Sequence, residues 1–178
     1  LVNFLQLAPN EKISAMLPVG EKGNNKYLVM VTSRGTIKKT ALEDFSNVRR
    51  SGIIALKLKA DDNLEWVKPS DGANDLILAT SGGQAIRFKE HDVRAMGRTA
   101  GGVRGMKLKG HDAIIGMDII DTKSKQLEFL VVGQNGTGKC TPVAEYKCPG
   151  RGGSGIKTAE VTAKTGPLVY ARVVDRAA

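Results

Sequence analysis

The feature that most constrains the fold is an internal repeat, in which sequence markers recur in one order along the chain. One marker is a glycine-rich segment, which reads SGIIALKL at Ser51–Leu58, GGVRGMKL at Gly101–Leu108 and RGGSGIKT at Arg151–Thr158. Aligned in this way, a glycine and a lysine each recur at a spacing of 50, at Gly52, Gly102 and Gly152 and at Lys57, Lys107 and Lys157. Such a period predicts an array of similar units, because one small unit cannot bury its apolar faces alone.

Two further markers keep the same order. VMVTSRGTIKKT, ILATSGGQAIRF and LVVGQNGTGKCT align on Gly35, Gly83 and Gly136, which lie 48 and 53 positions apart. The segments EKISAML, DNLEWVK and DAIIGMD align on Ile13, Leu64 and Ile114. We therefore interpret residues 1–178 as a single repeat domain, with repeats at approximately 11–58, 62–108 and 111–158. Residues 1–7 and 162–178 are then parts of flanking units.

Each repeat is predicted to hold four short strands, because runs rich in Val, Ile, Leu and Thr alternate with Gly, Asn, Asp and Ser. In the first repeat these strands are Ile13–Val19, Tyr27–Thr32, Thr36–Thr40 and Ile53–Leu58, and a glycine-bearing turn joins the middle two as a hairpin. Leu1–Leu7 and Leu168–Val174 are predicted as strands of the flanking units. Helical turns fit only at Ala41–Val48, Glu90–Met96 and Val143–Cys148. The expected fold class is all-β, a propeller-like array of four-stranded blades.

The net charge of +9 and a pI near 9.7 favour a polyanionic partner. The basic residues concentrate at one place in each repeat, the strand after the hairpin turn and the connection that follows it. Lys38–Arg50, Arg87–Arg98 and Lys139–Arg151 together hold 11 basic and 5 acidic residues, which is +6 of the net +9. In an array, equivalent connections lie along one rim, so we predict a basic band running from unit to unit.

A basic band suits sequence-tolerant binding of the duplex DNA backbone. Aromatic residues are only 4% of the chain, whereas single-strand binders stack bases on exposed aromatic side chains. Phe45, Val93 and Tyr146 occupy one aligned position, which indicates a role in the core. No recognition helix for base readout is evident. Backbone contacts alone make affinity fall steeply with salt, and they can offset the elastic cost of bending the duplex.

Two other functions compete with DNA binding. Gly133–Thr141 resembles a P-loop, with Gly133, Gly138 and Lys139 at the required spacing, but Cys140 stands where the Mg²⁺-binding Ser or Thr belongs. A P-loop NTPase also needs a helix directly after the lysine, and Pro142 leaves little room for one. The other alternative is a propeller-like scaffold that binds an acidic partner protein.

The cysteine content excludes some classes of site. The chain has two cysteines and two histidines, which provide neither a zinc framework nor a disulfide scaffold. Cys140 and Cys148 are expected to be small, partly buried free thiols in a reducing compartment. No apolar run approaches the roughly 20 residues of a membrane-spanning helix, no signal peptide is evident, and no membrane partner is predicted.

Four segments stand out beyond the repeat markers: LVNFLQLAPNEKI (Leu1–Ile13), GTIKKTALEDF (Gly35–Phe45), VRAMGRTAGGVRGMKL (Val93–Leu108) and NGTGKCTPVAEY (Asn135–Tyr146). They resemble the C-terminal domain of the DNA gyrase A protein. The resemblance extends over essentially the whole chain, and it is closer to gyrase than to the paralogous protein of topoisomerase IV. It implies a β-pinwheel, a disc of four-stranded blades that exchange strands with their neighbours. About three complete blades would lie in this chain, with partial blades at both ends.

The resemblance also implies a function for the basic rim. The rim of such domains wraps duplex DNA, and the wrap supports ATP-dependent negative supercoiling by the whole enzyme. Carried over position by position, the rim would comprise Lys38, Lys39, Arg49, Arg50, Arg87, Lys89, Arg94, Arg98, Arg104, Lys139, Lys147 and Arg151.

The remaining implications concern the whole enzyme. The partners would be double-stranded DNA, the rest of the gyrase A protein, and the gyrase B protein in an A2B2 assembly in the bacterial cytoplasm, associated with the nucleoid. The segment would have no catalytic residue, metal or cofactor of its own, with ATP and Mg²⁺ acting elsewhere. The family's gyrase box, a Gln-Arg-Arg-Gly-Gly-Lys-Gly loop, is absent, and its nearest match is Pro149–Gly153. The family's domain usually has about six blades, and this chain covers about half of them.

Overall fold

The structure is a computed structural model and describes residues 13, 15–17, 25–47, 52–124 and 126–176. Eleven strands lie in these ranges: β1 (Tyr27–Thr32), β2 (Thr36–Ala41), β3 (Leu64–Ser70), β4 (Asp75–Thr80), β5 (Gln84–Lys89), β6 (Val103–Arg104), β7 (Ile114–Ile120), β8 (Leu127–Gly133), β9 (Gly138–Pro142), β10 (Ile156–Lys157) and β11 (Leu168–Asp175). Three short 3-10 helices, at Leu42–Phe45, Glu90–Asp92 and Val143–Glu145, lie within the predicted helical turns. None of the described helices is long and apolar enough to cross a membrane.

The strands form three antiparallel sheets, each built around one hairpin. The first sheet has the order β3-β1-β2-β6, the second β10-β5-β4-β7, and the third, within the described residues, β11-β8-β9. Each hairpin turns at a glycine with positive φ, namely Gly35 (80°), Gly83 (81°) and Gly136 (83°). The all-β, propeller-like prediction is therefore confirmed, as are the predicted first hairpin strands, which differ from β1 and β2 only in that β2 extends to Ala41.

The strands of one repeat are divided between two sheets. In the second repeat, β4 and β5 form the central hairpin of the second sheet, while β3 pairs with β1 and β6 pairs with β2 in the first sheet. The third repeat follows the same rule, since β7 pairs with β4 and β10 pairs with β5. The second and third repeats thus each complete the sheet of the repeat before it, so the chain itself links neighbouring sheets.

Two apolar clusters fill the spaces between the sheets. The cluster between the first and second sheets includes Val29, Leu76, Leu78 and Phe88, and the cluster between the second and third includes Ile77 and Phe129. Residues 76–78 alternate between the two clusters because side chains alternate across a strand. All six residues of β4 are consequently buried, which is why its sequence, DLILAT, is a nearly continuous apolar run.

Strand exchange explains where the strand predictions fail. Ile53–Leu58 forms no strand, because the equivalent segments β6 and β10 each pair with the hairpin of the preceding repeat, and no such hairpin lies before it in the described residues. Ile13 and residues 15–17, from the predicted strand Ile13–Val19, are likewise outside any strand. The rest of that strand and Leu1–Leu7 lie outside the described residues. Leu168–Val174 is confirmed as part of β11.

The repeat alignment needs one correction in the third repeat. Gly105 donates its backbone N–H to the Gly35 oxygen at 2.8 Å, and the equivalent bond of the next sheet joins Thr158 to the Gly83 oxygen at 2.9 Å. Gly102 is therefore equivalent to Gly155 and not to Gly152, so the third segment is shifted by three residues. Both Gly102 and Gly155 have positive φ. Sequence matching chose the wrong glycine because Arg151–Gly155 contains three of them.

The P-loop interpretation is wrong. After β8 ends at Gly133, the chain turns through Gly136 and re-enters the sheet as β9, in which Lys139 pairs with Val131. A P-loop requires a helix N-terminus at this point to bind the phosphates, and a strand occupies it instead. The glycines of FLVVGQNGTGKCT belong to a hairpin, which agrees with its alignment to the other two hairpins.

Candidate nucleic-acid interface

Lys38 is buried, which corrects its placement on an exposed rim. Its side chain is 0% exposed, and its ammonium group donates to the Ala55 oxygen at 2.7 Å and the Arg98 oxygen at 2.5 Å. Burial lowers the pKa of Lys38, Asp44 raises it and Arg98 lowers it again, with burial the largest of the three effects. Lys38 thus links β2 to the connection that contains Ala55 and to the connection that contains Arg98, and its side chain is closed off from solvent.

Lys39 is also buried, although it points to the opposite face of β2. Its ammonium group donates to the Glu90 backbone oxygen at 3.1 Å, lies 3.6 Å from Glu90 Oε1, and sits 5.0 Å from the centre of the Tyr27 ring. Glu90 is itself fully buried. This pair links the first sheet to the connection after β5, so the predicted DNA contact of Lys39 is also corrected to a structural role.

Arg87 and Lys89 share one buried carboxylate. Arg87 contacts Asp75 Oδ2 through Nε at 2.9 Å and Nη2 at 2.7 Å, and its Nη1 donates to the Val143 oxygen at 2.9 Å. Lys89 lies 3.3 Å from Asp75 Oδ1, and about half of its side chain is exposed. Arg87 is therefore engaged inside the fold, whereas Lys89 can reach solvent. Sequence reasoning missed Asp75 because it aligns with Tyr27, which has no carboxylate.

Three of the predicted rim residues are exposed cationic side chains that can bind an anion. Arg94, Arg104 and Lys147 are exposed, and their side chains make no hydrogen bond or ion pair with any residue that the structure describes. Their charges are therefore free for an external anion.

Arg151 brings two of the basic connections together. Its Nε donates to the Asp92 oxygen at 2.9 Å and its Nη1 to the Arg104 oxygen at 3.1 Å. Arg151 is exposed, its hydrogen-bond partners are neutral carbonyls, and it forms no ion pair with any carboxylate that the structure describes. The structure thus joins Arg151 of the third repeat to the segment that carries Arg104 in the second repeat.

The remaining predicted residues are more scattered. Arg98 is partly buried, and its Nη1 donates to the Ile54 oxygen at 3.4 Å. Lys139 is exposed and donates to the Thr158 oxygen at 3.3 Å. Arg49 and Arg50 lie outside the described residues. The DNA-binding role of the exposed members stays a prediction.

Two aspartates that sequence reasoning missed hold the hairpin turns. Asp62 is buried and accepts from Thr32 Oγ1 at 2.7 Å and from the Arg34 backbone N–H at 3.0 Å. Asp112 accepts in the same way from Ser81 Oγ at 2.7 Å and from the Gly82 N–H at 2.8 Å. The signal was present, because KADD and KGHD occur at one place in two repeats. The contact with Asp62 fixes the Arg34 backbone beside the loop that precedes β3.

Both cysteines are exposed, which corrects the expectation that they are partly buried. The Cys148 thiol lies 3.9 Å from Asp75 Oδ2. Desolvation raises the pKa of Cys148, and the negative charge of Asp75 raises it further, while Arg87 and Lys89 act in the opposite direction.

We expect Cys148 to alkylate with a pH profile displaced to higher pH, because only the thiolate reacts. The rate constant with iodoacetamide, measured in a Cys140→Ser variant, should reach half its maximum at a higher pH than in an unfolded peptide of the same local sequence. Urea should abolish the difference. A folded-state midpoint at or below that of the peptide would contradict the arrangement around Asp75.

Comparison with known protein families agrees with the resemblance found in the sequence. A family model described as DNA gyrase C-terminal domain, beta-propeller, matches residues 26–71, 74–121 and 127–175. The DNA gyrase A protein of Staphylococcus epidermidis is 41% identical over 170 residues, and that of Staphylococcus aureus is equally similar over the same length. The matches cover 95% of this chain but only 19% of each relative.

Solved structures of the same kind share the fold. The C-terminal domain of DNA topoisomerase IV superposes with a TM-score of 0.87 at 30% identity, covering 98% of this chain and 54% of that one. A DNA gyrase A C-terminal domain superposes with a TM-score of 0.75 at 25% identity, covering 94% of this chain and 59% of that one. The fold is therefore common to the gyrase and topoisomerase IV domains.

Proposed function

The chain belongs to the DNA gyrase C-terminal domain family, and we propose on this basis that it is a duplex-DNA-binding and DNA-wrapping module of a type IIA DNA topoisomerase. The observation that carries the proposal is the set of exposed cations without acidic partners, Arg94, Arg104, Lys147 and Arg151, of which Arg151 contacts the Arg104 backbone across two neighbouring repeats. Such cations bind phosphate and release counterions, independently of base sequence.

Wrapping would use the repeat architecture. Because each repeat completes the preceding sheet, equivalent connections recur from sheet to sheet, and a polyanion can follow them. Contacts added by bending the duplex can offset a bending cost of about 1–6 kcal/mol per site of 20–30 bp.

The activity of the whole enzyme is a further part of the proposal. We infer that strand cleavage, and the action of ATP and Mg²⁺, take place in other domains and in the B protein of an A2B2 gyrase in the bacterial cytoplasm, at the nucleoid. This segment would contribute the DNA path that supports negative supercoiling, without a catalytic site of its own.

Binding to linear duplexes tests the proposal. We expect affinity to rise as the duplex lengthens from about 20 to 150 bp, because a wrapped path offers more phosphates than a short rod. The logarithm of the association constant should fall linearly with the logarithm of salt concentration, by about 0.9 per phosphate contact. Fluorescence anisotropy measures both. Binding that ignores both length and salt, or a preference for an acidic protein over DNA, would refute the proposal.

A topological assay separates wrapping from simple binding. If the chain wraps DNA, relaxed circles that are religated in its presence should show a changed linking number after the protein is removed. Religation with a Lys89→Gln/Arg94→Gln/Arg104→Gln variant provides the control and should give a smaller change. Tight binding with no change in linking number would restrict the function to binding.

A further inference from the structure

A groove lined by basic residues lies where the second repeat closes the first sheet. Its volume is about 540 Å³, and its charged lining residues are Arg34, Lys59, Arg104 and Lys107. Three glycines, Gly35, Gly101 and Gly102, form part of the wall. We call this site the basic groove. Only Arg104 was among the residues that the sequence predicted to bind DNA.

The basic groove contains no negative charge. No aspartate or glutamate lines it, and all four cationic residues are exposed. Within the described part of the chain, none of the four side chains makes a hydrogen bond or an ion pair. The buried Asp62 carboxylate accepts from the Arg34 backbone N–H at 3.0 Å, but no described carboxylate forms an ion pair with any of the four cations. They repel one another, so the free energy of the site falls when an anion enters it. Gly35 and Gly102 let the segment around β6 pack closely against the first hairpin, since a Cβ at either position would lie closer than 3.0 Å to a backbone oxygen.

The equivalent positions in the second sheet, the counterpart of the basic groove, carry less positive charge. Gly82 takes the place of Arg34, since both donate their N–H to the equivalent aspartates Asp112 and Asp62. Lys157 takes the place of Arg104, because β10 pairs with β5 as β6 pairs with β2.

By the same register, Glu160 occupies the position equivalent to Lys107, and it forms an ion pair with Lys157 at 3.2 Å. Lys109 occupies the position equivalent to Lys59. The net charge therefore falls from +4 in the basic groove to +1 in its counterpart. The same position in the fold therefore carries a larger positive charge in the first sheet than in the second.

We propose that the basic groove binds the phosphodiester backbone of duplex DNA and is the strongest phosphate site on the described surface. The inference deepens the proposed DNA-binding function and depends on it. Phosphate contacts would then be distributed unevenly along the array, concentrated at the first sheet and weak at the equivalent position of the second.

The test compares two double variants at equivalent positions, each of which removes two positive charges. Lys59→Gln/Arg104→Gln alters the basic groove, and Lys109→Gln/Lys157→Gln alters its counterpart. Affinity for a duplex of about 40 bp is measured by anisotropy between about 50 and 200 mM salt. The groove variant should lose roughly 10- to 60-fold in affinity at about 0.1 M salt, with a salt slope lower by about 1.8. The counterpart variant should change less than about threefold.

Several outcomes would decide against the inference. Equal losses in both variants would show a general charge effect, and an unchanged groove variant would show that the groove does not contact DNA. If the wild-type chain binds DNA but inorganic phosphate raises the melting temperature through the groove without competing with DNA, the groove is a site for free phosphate. Failure of the wild-type chain to bind DNA would overturn the proposed function as well. An Arg34→Gln/Lys107→Gln variant repeats the test if the first variant does not fold.

Discussion

Replacing Lys38 with methionine should lower the free energy of unfolding by about 2–4 kcal/mol and leave DNA affinity unchanged. Methionine keeps most of the buried volume but removes the ammonium group, which donates to the Ala55 and Arg98 oxygens. Each buried carbonyl that loses its donor costs about 1–3 kcal/mol. Relief from burying a charge offsets part of this cost, because burial lowers the pKa of Lys38.

The Lys38 effect should depend on pH. Because the pKa of Lys38 is lowered in the folded state from 10.5, the unfolded chain binds more protons as pH approaches that value. Stability contributed by Lys38 therefore rises with pH in the alkaline range. The difference in unfolding free energy between wild type and Lys38→Met should widen as the pH rises toward 10.5.

Urea denaturation at several pH values measures this effect, and DNA anisotropy separates it from a binding role. Lys26→Met, at an exposed position in the same repeat, is the matched control and should change stability by less than about 0.5 kcal/mol. If Lys38→Met kept its stability but reduced the DNA salt slope by about 0.9, Lys38 would be the phosphate contact that the sequence predicted.

Replacing Gly83 with alanine should destabilise the chain by about 3–5 kcal/mol. Gly83 has a φ of 81°, and the left-handed conformation costs a residue with a Cβ about 1–2 kcal/mol. In addition, a Cβ at this position would lie closer than 3.0 Å to the Ala159 backbone oxygen. That oxygen belongs to the segment following β10, which Gly83 itself binds through Thr158. Relieving the overlap requires displacing the segment that follows β10.

Gly136→Ala is the matched control, because Gly136 occupies the same turn position with a φ of 83° and has no atom within 4 Å of a Cβ. It should cost only the conformational term of about 1–2 kcal/mol. Chemical denaturation of both variants under identical conditions measures the difference. Equal losses of stability in the two variants would show that the segment following β10 does not pack against Gly83.

Much of the fold could be predicted from local chemistry. Gly35, Gly83 and Gly136 mark the hairpins because a tight turn needs a residue that tolerates positive φ, and strand composition predicted β1, β2 and β11 closely. Partner choice could not be predicted. Ile53–Leu58 has the composition of a strand, yet a strand exists only where another backbone satisfies its hydrogen bonds. Its partner hairpin is not among the residues described.

The candidate site shows the same division. The sequence by itself determined the repeat, the all-β class and the surplus of positive charge. Only the tertiary structure decided which cations can meet an anion. Lys38 and Lys39 are adjacent in sequence and point to opposite faces of β2, so alternation predicts that one of them is exposed. Both are buried because neighbouring segments cover both faces of the strand, while Arg34, Lys59 and Lys107 converge from distant positions through strand exchange. Burial and convergence depend on contacts between repeats, and those contacts leave no periodic signal in the sequence.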